Sequence, residues 1–310
     1  MEHEHTIDQF IDTGAGTEKI GRLEKKIQTQ FEQQDAREIK SIEREKTDQE
    51  KWIIEQVNND LNTWRSRFGL PIYEAPETIV HIIPSENWKS RSGGETVPLY
   101  QEVAIADDPE PLVVAERIHH ELTHVHSYTA IDAGPTRVQD YRLGLSGYTR
   151  PDHQRYHNIL NEGVTAELTR QFMMHLREDA AFKAQRTATE NVFAHVPEAT
   201  DRAGEPIFQD DVYMVEAKPI GENQNQLVAK HIAYREERRA VLQLLKHLEK
   251  KTGAPSEQTL NELFRSMFTG NLLTTGKRID RAFGRGAFRR LAVPKTLKDF
   301  QGVVTSLVES

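Results

Sequence analysis

The chain has 310 residues, a net charge of −8 and no cysteine. Disulfide scaffolds, iron–sulfur clusters and thiol nucleophiles are therefore excluded, and any metal must rest on histidine and carboxylate. The acidic balance argues against a nucleic-acid partner held over the whole surface, and no run approaches the roughly 18 apolar residues of a membrane span.

The N-terminal Met-Glu-His-Glu-His lacks the basic and apolar regions of a signal peptide, which predicts a cytoplasmic protein. Residues 1–17 read as a mobile tail in which His3 and His5 are solvated. Residues 18–68 are charged and helical, with Ile20, Leu23, Ile27 and Phe31 at helical spacing, then Ile53, Val57, Leu61 and Trp64. That pattern predicts a helical extension with one packed stripe, able to lie on the body, pair with a partner or cover a site.

After Gly69 the composition changes. Residues 78–83 read as a strand ended by Pro84, and the Gly93-Gly94 turn leads to an extended run from Val97 to Ala106. Asp108 as a cap, with Pro109 and Pro111 in the first turn, predicts a helix from about Pro109 to Tyr128. A strand or hairpin is expected at Tyr141–Leu145, a helix from Asp152 to Arg177 and a strand at Val212–Val215. A third long helix is predicted from Gln226 to Lys251, stopped by Gly253 and Pro255, with shorter helices to Ser310. The fold class is α+β and predominantly helical. Residues 69–253 form the main domain, and 254–310 a helical subdomain packed on it.

The chemistry lies in His120-Glu121-Leu122-Thr123-His124. On a helix, residues i and i+4 stand one turn apart on one face, so both imidazoles can reach one ion. Zinc is the natural guest, and Glu121 is placed to reach a water rather than the metal. Val114, Ile118, Leu122 and Val125 form an apolar stripe away from the two ligands. His119 and His126 fall on another face, as outer or surface groups. A catalytic zinc needs a third protein ligand. Glu162 is the choice, on the next helix beside Gly163, whose cost inside a helix implies close approach of two helices. Asp132 or Asp140 is the alternative ligand. Glu167 is either an acceptor for a ligand histidine or solvated.

His120-Glu121-x-x-His124 followed by Asn161-Glu162-Gly163 resembles the gluzincin metallopeptidases, the thermolysin and aminopeptidase N superfamily. The resemblance spans about residues 79–176 and implies a zincin-like catalytic domain, one Zn2+ on His120, His124 and Glu162, and hydrolysis of peptide or protein substrates. It implies Glu121 as general base on a metal-activated water, and a downstream Tyr or His on the developing oxyanion. Tyr234 is preferred, with His231, Tyr213 and Tyr148 as rivals. It also implies that the strand from Tyr100 to Ala106 borders the cleft and pairs with extended substrate. The amine-binding Gly-x-Met-Glu-Asn of the aminopeptidases is absent, as is the third histidine of the metzincins. The competing reading is a catalytically silent zincin scaffold that binds a partner. A third is a peptidase covered by residues 18–68.

Between Lys277 and Lys295 stand seven basic residues against the single Asp280. They read as a solvated face whose charges pair with the acidic remainder, with Phe283 and Phe288 in the core; a patch for nucleic acid or an acidic partner is the alternative.

Overall fold

A computed structural model describes residues 9–11, 36–90, 92–97, 101–133, 138–148, 154–195, 211–221 and 224–309. Ile20, Leu23, Ile27, Phe31 and Tyr100, like His3 and His5, lie outside the described residues. The architecture is mixed α+β and mostly helical.

Helix α1 (Ala36–Ile42) leads into α2 (Asp48–Arg67), whose start is fixed by a capping box. Glu50 N–H donates to Thr47 Oγ1 at 3.2 Å, and Thr47 N–H donates back to Glu50 Oε2 at 2.7 Å. Ile53, Ile54, Val57 and Leu61 of α2 are buried in the main hydrophobic core. So α2, expected within an extension, is an integral core helix. An amphipathic stripe declares that it will be buried but not against what.

Three short strands follow: β2 (Val80–Ile83), β3 (Gly94–Val97) and β4 (Glu102–Ala106). Their order is β2-β4-β3, with β2 parallel and β3 antiparallel to β4. The expected run from Val97 to Ala106 is thus a β3–β4 hairpin. Because β4 is hydrogen-bonded on both sides, it cannot pair with substrate as expected; β3 is the edge.

Helix α3 (Pro111–His126) carries the His-Glu-x-x-His segment and is buried from Leu112 to His126 except at Arg117. Pro111 opens it, and Asp108 Oδ1 accepts the Glu110 N–H at 3.1 Å, one step before the helix. Strands β5 (Thr129–Ala133), β6 (Val138–Leu143), β7 (Ser146–Tyr148) and β8 (Arg155–Tyr156) continue the chain in sequential antiparallel pairing. Strand β1 (Gln9–Ile11) joins this sheet in parallel with β5, so these three residues are not part of a free tail.

Helix α4 (Asn158–Leu176) packs on α3, and α5 (Lys183–His195) packs on β9 (Val212–Gly221). Strand β9 forms an antiparallel hairpin with β10 (Gln224–His231), and α6 (Arg235–Thr252) starts only after it. The third long helix was expected from Gln226. Leu227, Val228 and Ala229 suit either structure, and the distant partner β9 decides for strand. Helices α7 (Ser256–Thr269), α8 (Leu272–Phe283), α9 (Ala287–Ala292) and α10 (Leu297–Glu309) complete the chain against α4 and α6. Phe283 is buried and Phe288 half-buried. Of the seven basic residues around them, Arg278 alone meets a carboxylate among the described residues, Glu262 at 3.0 Å; the expected general pairing is absent.

Candidate metal centre

Helices α3 and α4 bring His120, His124 and Glu162 together, all three buried. Glu162 Oε2 lies 3.3 Å from His120 Nε2 and 3.5 Å from His124 Nε2. Donors about 2.0–2.1 Å from a tetrahedral zinc are about 3.4 Å apart, so the spacing and the donor set fit that ion. Two imidazole nitrogens and one carboxylate supply three donors among the described residues, one fewer than a tetrahedral shell.

Gly163, next to Glu162, lets α4 lie close against α6. A Cβ there would lie 2.6 Å from Glu237 O on α6. The expected contact of two helices is present, made by α4 with α6. Asn161, one residue before the ligand, ties the helix to the preceding turn: its Oδ1 accepts the Leu145 N–H at 2.9 Å, and its amide nitrogen lies 3.5 Å from His124 Nδ1.

Electrostatics in the triad are set by mutual contact. Burial opposes charge on Glu162, but the two imidazoles hold its carboxyl well below the usual range. Burial also opposes charge on His120, yet the bond to Glu162 and the fields of Glu121, Glu162 and Glu116 raise it to about 9. A buried carboxylate beside two imidazoles is a donor set that could hold a cation.

Glu121 points to β3. Thr96 Oγ1 donates to Glu121 Oε2 at 2.6 Å, and Gly94 permits the contact, since a Cβ would lie 2.8 Å from Glu121 Cγ. Beside the triad opens a cleft of about 350 Å³, lined by Gly94, Glu116, His120, Glu121, Tyr213 and Tyr234 among others.

Tyr234 stacks on His120 with ring centroids 5.0 Å apart. It is placed there by the β10–α6 junction, where its φ of 54° puts a non-glycine residue in the left-handed region. Burial, then the carboxylates of Glu162 and Glu121, push its phenol above the ordinary value. His231 and Tyr213 also line the cleft. Tyr148 instead sits on β7 beneath the Arg155 guanidinium, 5.8 Å from its ring centre.

Comparison with family models, curated proteins and solved structures gave no match to this chain. The functional reading therefore rests on the side chains themselves.

Other sequence candidates take structural posts. His119 and His126 are buried, not surface groups, and face α2: His119 Nε2 lies 3.2 Å from Asp60 Oδ2, and His126 Nε2 lies 3.2 Å from Asn58 Oδ1. Glu167 neither supports a ligand histidine nor is solvated; it pairs with Arg238 of α6 at 2.6 Å and Arg170 at 2.9 Å. Asp132 and Asp140 lie on β5 and β6, and their side chains fall outside those described.

Three site residues escaped the sequence reading. Thr96 comes from a strand 25 residues before Glu121 and carries no local signal. Arg155 of β8 lies 3.7 Å from Glu162 Oε1 and is equally silent. Glu116 was legible as the residue one turn before His120. It accepts the Ala233 N–H at 2.8 Å, fixing the junction that carries Tyr234.

Proposed function

We propose that this protein is a zinc-dependent peptidase with a zincin-like catalytic domain. The observation that carries the reading is the convergence of His120, His124 and Glu162 at tetrahedral ligand spacing beside an open cleft. Zinc bound there supplies Lewis acidity, polarising a carbonyl and lowering the pKa of water. Glu121 takes the proton from the attacking water and passes it to the leaving amine, oriented by the Thr96 hydroxyl. Tyr234, kept protonated by its surroundings, donates to the carbonyl oxygen as negative charge grows there. The free edge of β3 offers backbone groups to an extended peptide running past Glu121.

The test begins with metal content after purification without added metal or a histidine tag. Wild type should hold about one zinc per chain, and Glu162→Ala should lose it. Glu121→Gln should keep the metal while hydrolysis of an unstructured protein such as casein falls by about 10²-fold or more. No zinc in the wild type, even after titration, would sink the proposal. Zinc retained without turnover across a broad peptide library would leave a binding scaffold in place of the enzyme.

A further inference from the structure

The basic segment turns its apolar residues inward and most of its cations outward. Helix α8 buries Thr275, Gly276, Ile279 and Phe283, and α9 buries Ala287, Leu291 and Ala292. Gly276 makes room for the Phe288 ring, whose Cδ1 would lie 2.8 Å from a Cβ at 276, so the helices meet with apolar sides inward. Lys277, Arg281, Arg285, Arg289, Lys295 and Lys298 are all left exposed. No carboxylate among the described residues pairs with any of them. The internal acid is already engaged: Asp280 accepts the N–H groups of Gly286 at 3.2 Å and Phe288 at 2.8 Å. Asp299 is held by the Thr296 hydroxyl at 2.7 Å. Arg290 donates to Ser306 Oγ at 2.6 Å. In a chain of net charge −8 this is a concentrated positive surface.

A second observation selects the partner. Leu273 is 74% exposed and Val293 55%, two of the four exposed large hydrophobic residues among those described. Leu273 lies one and two turns before Lys277 and Arg281 on the same side of α8, and Val293 lies one turn beyond Arg289. A phosphate backbone would attract the cations but gains nothing from bare aliphatic side chains at both ends. An anionic lipid surface takes both, with cations at the headgroups and aliphatic chains at the acyl boundary. We propose that the α8–α9 face docks this protein peripherally on an anionic lipid membrane. No described helix is long and apolar enough to cross one.

The experiment is co-sedimentation of the full chain with phosphatidylcholine vesicles, with and without phosphatidylserine. Binding is expected only with phosphatidylserine and should weaken as salt shortens the screening length. Arg281→Glu/Arg285→Glu/Arg289→Glu, all exposed, should abolish it with the melting temperature unchanged. Leu273→Ser/Val293→Ser should weaken vesicle binding about fivefold or more and leave any binding to a fluorescent DNA duplex unaltered. Absence of binding to phosphatidylserine vesicles at low salt would overturn the proposal. Vesicle binding indifferent to the Leu273/Val293 variant, with DNA bound at least as tightly, would overturn it in favour of nucleic acid.

Discussion

A methyl group at position 163 has nowhere to go. The Cβ would sit 2.6 Å from Glu237 O and 2.7 Å from Val241 Cγ2, and a backbone carbonyl cannot swing aside as a side chain can. Helix α6 would have to move, and Tyr234 precedes its first turn. Gly163→Ala gains about 1 kcal/mol of helix propensity but is expected to lose about 1–3 kcal/mol to overpacking. The net outcome should be a lower melting temperature and weaker zinc retention; a variant that melts higher with metal intact would refute the close approach. At this scale the meeting of His120, His124 and Glu162 was readable, because the two histidines stand one turn apart on one helix and Glu162 lies on the next. Thr96 was not, since its contact with Glu121 crosses from another element.

Neighbouring positions on α3 look in different directions. His119 and His120 are about 100° apart round the helix, so one faces Asp60 of α2 and the other Glu162 of α4. Helix α2 therefore supports α3 from the side away from His120 and His124 and does not line the cleft as a detachable inhibitor would. Leu61, fully buried, should cost about 2–5 kcal/mol when truncated to alanine, read as a fall in the urea midpoint, with zinc binding retained in the folded variant. A loss below about 0.5 kcal/mol would mean that α2 is the solvated extension its sequence suggests. The stripe Ile53, Val57, Leu61 was legible as periodicity, while its packing against α3 is a tertiary fact. The same holds for β10: its residues are ambiguous locally, and pairing with β9 settles them. The order β2-β4-β3 was equally hidden, because alternation marks a strand but not its neighbours.

Across the molecule, the C-terminal helices and the body that carries the His120–His124–Glu162 group meet at the start of α4. His157 donates its backbone N–H to Ala292 O at 2.9 Å and stacks on Phe288 at 4.3 Å, with φ of 57°. Its imidazole is buried and faces the Arg142 guanidinium; burial first, then that charge, depress it to about 4. The sign follows from linkage. Between the free value near 6.5 and about 4 the unfolded chain binds a proton that the folded one does not, so stability falls as pH drops through that window. The full loss is about 3 kcal/mol, set by a depression of about 2.5 pKa units. His157→Asn keeps a residue tolerant of positive φ and removes the titrating group. It should be less stable than wild type at pH 7, having lost the Phe288 stack, yet lose less on acidification. Urea midpoints of both proteins at pH 7 and pH 4.5 decide the matter: a smaller acid-induced fall in the variant is expected. An equal fall would mean that His157 takes up its proton alike in the folded and the unfolded chain and that other groups drive the acid response.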